Sequence, residues 1–154
     1  MVWIALAAAI LVYAAADLWL RWRRRRQVRV LLLVGAGTED ALEGVLRAAA
    51  ALVGGVSGGR LVAVVERPAH PSPEWAAMLR ALGRALPGVR LHAAPHGADL
   101  LVSGLAAAGG RVDVVLSFDG RQTLPAWLRD ARRLLRATAK AREEGTGKRG
   151  RGAN

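Results

Sequence analysis

Few residues of this 154-residue chain have side chains that do chemistry, and most of those are acids at the ends of apolar runs. Asp119 is the most informative. It follows the valine-rich run Val112 to Leu116, which reads as a buried strand of a parallel sheet, and it opens the turn Asp119-Gly120. That puts Asp119 just past the carboxyl end of a strand, where open α/β sheets place their ligands. Glu66 closes a second apolar run, Leu61 to Val65, and Glu39 and Asp40 open a helix after Gly35-Ala36-Gly37. Carboxylates are the oxygen ligands that hard divalent cations take.

Other constellations point nowhere specific. Gly35-x-Gly37 lacks the third glycine of a dinucleotide fingerprint, because position 40 is Asp40. Two acids at that helix start would also repel a pyrophosphate. His92 and His96 are four apart, but a strand end and the Pro95 loop separate them, so helical metal-ligand spacing does not apply, even with Asp99 nearby. There is no cysteine, which excludes thiolate chemistry, zinc ribbons and disulfides.

The elements that must position these acids alternate in type. Val28 to Val34 is a first strand, and Thr38 caps a helix whose apolar positions Leu42, Val45, Leu46, Ala49 and Val53 follow helical spacing. Gly54 to Gly59 reads as a flexible loop. Ser72 caps the next helix with Pro73 at its first position, and Pro87-Gly88 ends it. Val89 to His92 is a short strand, and Asp99 to Ala108 a short helix closed by Gly109-Gly110. After the Asp119 turn, a helix runs from Pro125 to about Glu144, and the polar, glycine-rich tail 145–154 is expected to be disordered. Strand–helix alternation of this kind predicts a parallel α/β sheet of about four strands with right-handed crossovers.

Charge divides the chain. The net charge is +11, yet Val30 to Leu128 carries eight basic and eight acidic residues, so the surplus lies at the two ends. The neutral core, in a chain with only one Phe and one Tyr, lacks the interleaved basic and aromatic residues of a nucleic-acid surface. The amino-terminal surplus follows an apolar stretch. Val2 to Leu20 is apolar except for Asp17, and nineteen helical residues reach roughly 28 Å, close to a hydrocarbon core. Trp3 at one edge and Trp19 and Trp22 at the other fit an aromatic belt. Arg21, Arg23, Arg24, Arg25 and Arg26 follow the apolar run, where a signal peptide would carry its charge before it. These arginines predict a single-pass anchor with its amino terminus outside and the remainder cytoplasmic, facing anionic lipid head groups. Ala5-x-x-x-Ala9 offers a small-residue face for a self-dimer or another membrane protein. The last helix pairs an apolar stripe (Trp127, Leu128, Ala131, Leu134, Leu135, Thr138) with a basic face of Arg129, Arg132, Arg133, Arg136 and Lys140.

Ser117-Phe118-Asp119, followed by Leu124-Pro125 and Trp127-Leu128, resembles the Asp-x-Asp segment of family 2 glycosyltransferases of the GT-A fold. Helix Glu39 to Arg47 (EDALEGVLR) is similar to the helix after that family's first loop, and Gly97 to Leu105 (GADLLVSGL) resembles its Gly-Lys-x-x-Ala-Leu-Asn-x-Gly-Leu run. The likeness covers roughly Val28 to Leu135, the nucleotide-sugar-binding half. It departs at the first aspartate, here Ser117, and at the acid pair ending the second strand, here Glu66-Arg67. The acceptor-binding half that supplies the general base has no counterpart in these 154 residues. The resemblance implies a nucleotide sugar held by Glu39, Glu66 and Asp119, with Mg²⁺ or Mn²⁺ at Asp119 if a nucleotide sugar is bound.

The expectation is therefore three segments. Residues 1–26 form a transmembrane helix with an arginine-rich cytoplasmic flank, 27–144 a truncated GT-A-like (Rossmann-like) α/β domain, and 145–154 a basic tail. The expected function is a membrane-anchored, glycosyltransferase-like domain without catalysis, a scaffold or partner in a membrane-associated assembly. The alternative is a family 2 glycosyltransferase or its donor-binding subunit.

Overall fold

The computed structural model of the chain describes residues 10–18, 28–57 and 59–149. Helix α1 (10–18) precedes an alternating series. The series runs β1 (Arg29–Val34), α2 (Glu39–Ser57), β2 (Arg60–Glu66), α3 (Pro73–Ala85), β3 (Val89–Ala94), α4 (Leu100–Ala108), β4 (Val114–Phe118) and α5 (Leu124–Arg149). The four strands form one parallel sheet in the order β3-β2-β1-β4. Parallel pairing requires a crossover between successive strands, and the helices supply it.

The core lies mainly on one face. Val30, Leu32 and Val34 of β1, Leu61, Ala63 and Val65 of β2, and Val114, Leu116 and Phe118 of β4 meet α2, α3 and α5 in a single apolar cluster. The alternate residues Leu31 and Val64 join Ala94 in a smaller cluster with Leu33, Val62, Ala98 and Leu100 beneath α4. Period-two alternation along each strand produces this division. Gly104 lets α4 lie close, since a Cβ there would come within 2.8 and 2.9 Å of the two Leu31 methyls.

Several expectations are corrected. Strand β4 starts two residues later than expected and is not buried on both faces. Val115 (42% exposed) and Ser117 face solvent, because β4 is an edge strand paired only with β1 and α4 packs over β1, β2 and β3 instead. Helix α2 passes through Gly54 and Gly55 to Ser57, where a loop was expected. Each interior glycine costs about 1 kcal/mol against alanine, and burial of the preceding Leu52 and Val53 offsets it. Helix α5 continues five residues into the predicted tail, to Arg149, while 150–154 lie outside the described residues. Leu134, placed on its apolar stripe, is exposed.

The predicted membrane span is described only over 10–18, which is helical; its other residues and Arg21 to Arg26 lie outside the described residues. Among the described residues no helix is long and apolar enough to cross a membrane.

Candidate functional site

The four strands end level with one another. Val34 pairs with Val65 and with Phe118, and Glu66 pairs with Ala94. The direction of strand addition reverses between β1 and β4, so the switch point lies between the loop after β1 and the turn after β4. Both Asp119 and Glu39 sit there, and Glu66 lies one strand away.

At the switch point the two loops close on each other. The Gly35 N–H donates to the Phe118 carbonyl at 3.0 Å, and the Gly35 Cβ position lies 3.7 Å from the Asp119 Cα. Gly120, with φ +77°, sits where a Cβ would come within 3.1 Å of the Thr38 methyl. The Thr38 hydroxyl, expected to cap α2, donates to the Gly35 carbonyl at 2.7 Å and so fastens the loop to itself.

Glu66 is the most engaged of the three acids. Its Oε2 accepts from the Ala36 N–H at 3.0 Å, and its Oε1 accepts from the Gly97 N–H at 2.9 Å. His96 Nδ1 lies 3.2 Å from the same Oε1, and the Glu66 side chain is only 15% exposed. The carboxyl is held below its usual range, first by the Gly97 N–H and then by the Ala36 N–H, with the His96 contact adding to both and burial opposing them. One carboxylate thus ties the loop after β1 to the loop after β3 across the end of β2.

Asp119 is different. Its Oδ1 accepts from the Arg121 N–H at 3.0 Å, its Oδ2 faces Arg121 Nε at 3.5 Å, and the side chain is 59% exposed. An aspartate bonded to the backbone two residues on is a turn-forming arrangement. Glu39 is exposed in the first turn of α2. Glu66 and Asp119 therefore flank the same loop, at Ala36 and Gly35. Even so, no group of three or more His, Cys, Asp or Glu side chains converges to hold a metal among the described residues. Ser117 lies on the uncovered face of β4.

The Leu-Pro-x-Trp-Leu part of the motif is structural. Trp127 Nε1 donates to the Ser117 carbonyl at 2.8 Å, and its ring meets Phe118 edge-on at 5.7 Å. A buried indole needs such an acceptor, and this bond pins the start of α5 to the end of β4.

Two polar side chains make contacts that their sequence setting does not announce. His96, whose spacing from His92 raises only the question of a metal, sits on Glu66. Asp113 falls inside the valine-rich run Val112 to Leu116. In the structure its side chain is 4% exposed, Oδ2 accepts from the Arg29 N–H at 2.8 Å, and Oδ1 meets Arg142 at 2.7 Å and Arg111 at 3.1 Å. An aspartate at the start of a valine run was the available signal, since a charge there needs partners.

The fold defines a class: a small Rossmann-like α/β domain with a four-stranded parallel sheet. Comparison with protein-family models, with curated proteins and with solved structures gives no match.

Proposed function

We propose that the chain is a membrane-anchored cytoplasmic domain of glycosyltransferase-like architecture that does not catalyse glycosyl transfer, and acts as a scaffold or partner in a membrane-associated assembly. The observation that carries this reading is the commitment of Glu66. Its two oxygens accept from backbone N–H groups of two loops and Oε1 also faces His96, so three of its four acceptor positions serve the fold where a donor site would need them for a ligand. Asp119 supports it too, closing its own turn through Arg121 with Ser117 beside it in place of a second anionic ligand. The apolar segment 2–20 and the arginines after it support the anchor and its orientation.

The test is a calorimetric titration of the full chain in lipid nanodiscs with UDP, GDP and their sugars, with and without Mn²⁺. The expected result is no metal-dependent binding, in wild type and in Asp119→Ala alike. Metal-dependent binding at micromolar concentrations, abolished by Asp119→Ala, would replace this reading with that of a donor-binding glycosyltransferase subunit.

A further inference from the structure

The opposite edge of the sheet carries a repeated pattern. An arginine followed by Val or Leu stands at or shortly before the start of each strand: Arg29-Val30 and Arg60-Leu61 open β1 and β2, Arg90-Leu91 follows the first residue of β3, and Arg111-Val112 comes just before β4. Strand parity decides where three of them point. Val30, Leu61 and Leu91 pack into the core under α2, α3 and α5, so Arg29, Arg60 and Arg90 emerge together on the α4 face. There they line a cavity of about 540 Å³ with Arg111, floored by the carboxyl end of α4. That volume lies within the range of small-molecule sites, roughly 300–1,000 Å³.

Of the four arginines in this cavity, Arg111 is paired with Asp113, and the charges of the other three are not balanced by the chain. Arg29 stands directly opposite Arg60 in the register of β1 and β2, a like-charge pairing that destabilises a sheet. Among the described residues no carboxylate lies within ion-pair distance of Arg29, Arg60 or Arg90. The nearby Asp113 is already held by Arg111 and Arg142 and by the Arg29 N–H. Guanidinium groups are forks of donors that match phosphate oxygens two at a time. We infer that the arginine-lined cavity at the amino edge of the sheet is a binding site for a phosphate-bearing anion, distinct from the carboxyl-edge loops. Two sources of that phosphate suit its place: a soluble phosphate ester or pyrophosphate, and a phospholipid head group, since β1 begins shortly after the arginine block at 21–26.

The experiment titrates pyrophosphate, without metal and at about physiological ionic strength, into the full chain in nanodiscs of neutral lipid. The expected result is saturable one-to-one binding. It should weaken about tenfold or more in Arg60→Gln/Arg90→Gln, through loss of two charge-assisted contacts. The charge-matched pair Arg132→Gln/Arg133→Gln, exposed on α5, and Asp119→Ala should both bind as wild type. Arg60→Lys/Arg90→Lys, which keeps charge but loses the forks, should lie between. Equal weakening in the two glutamine pairs, or no saturable binding by wild type, would overturn the site. A second set of discs containing phosphatidic acid assigns the source. Loss of pyrophosphate binding there identifies the lipid phosphate as the occupant, and retained binding identifies a soluble one.

Discussion

Replacing Glu66 with glutamine tests the central tie of the carboxyl edge. Glutamine keeps the shape of the side chain but has one acceptor oxygen where glutamate has two. At present Ala36 and Gly97 each donate to a separate oxygen, at 3.0 and 2.9 Å. In Glu66→Gln one of those N–H groups must face an NH₂ group, another donor. A hydrogen bond to a charged group contributes about 1.5–3 kcal/mol, so the variant should lose about 2–3 kcal/mol near neutral pH. In a domain of this size that is about 5–10 °C in Tm.

The pH dependence follows from the lowered carboxyl pKa. A depressed folded-state value means the ionised form is stabilised by folding, so the contribution is fully present above the unfolded value of about 4.3 and fades as pH falls through the folded one. The gap between wild type and Glu66→Gln should therefore be widest near pH 7 and shrink below about pH 4. Urea unfolding of the full chain in neutral detergent, followed by near-ultraviolet circular dichroism at several pH values, measures the gap. Hydrogen exchange adds a local readout, since the Ala36 and Gly97 amides should be protected in wild type and exchange faster in the variant. A gap under about 0.5 kcal/mol at pH 7, or one that does not change with pH, would refute the reasoning.

Two further substitutions probe other joints. Asp113→Asn should cost about 2–3 kcal/mol, because a nearly buried carboxylate that meets two arginines and the Arg29 N–H loses its charge. It should also speed hydrogen exchange in the last turns of α5, which Arg142 ties to β4; unchanged exchange there would mean the pair holds nothing. Gly120→Ala should destabilise more than Gly37→Ala. Both residues have positive φ, at +77° and +79°, but only at position 120 does the new methyl meet the Thr38 side chain. The strain of positive φ costs about 1 kcal/mol and the contact adds about as much again, so equal melting temperatures for the two variants would show that the loops do not press together at the switch point.

The nature and order of the elements were readable from residue types alone. Ser72 accepts from the Trp75 N–H and Asp99 from the Leu101 and Val102 N–H groups, as helix caps should, and Gly109 ends α4 in the left-handed conformation. These signals are local: a cap acts on the next three residues and a turn on its own four, and packing overrides them only where burial is at stake, as at Gly54-Gly55 beside Leu52 and Val53. The placement of Asp119 just beyond a strand was likewise legible, because β4 ends at Phe118. Pairing was not. That β4 joins β1 rather than β3 depends on the crossover of α4 over the sheet, and this turns an apparently buried run into an edge with Val115 and Ser117 in solvent. The same holds for the polar residues. Glu66 reads as an ordinary acid at a strand end until folding brings Ala36, thirty residues before it, and Gly97, thirty-one after it, to its two oxygens. The four arginines lie scattered along the sequence and meet only because parallel strands begin at one edge. Sequence alone determined which segments become strands and helices, through local hydrogen bonds and apolar period. The tertiary structure decided which charges share a site, because only closure of the sheet sets distances between residues far apart in the chain.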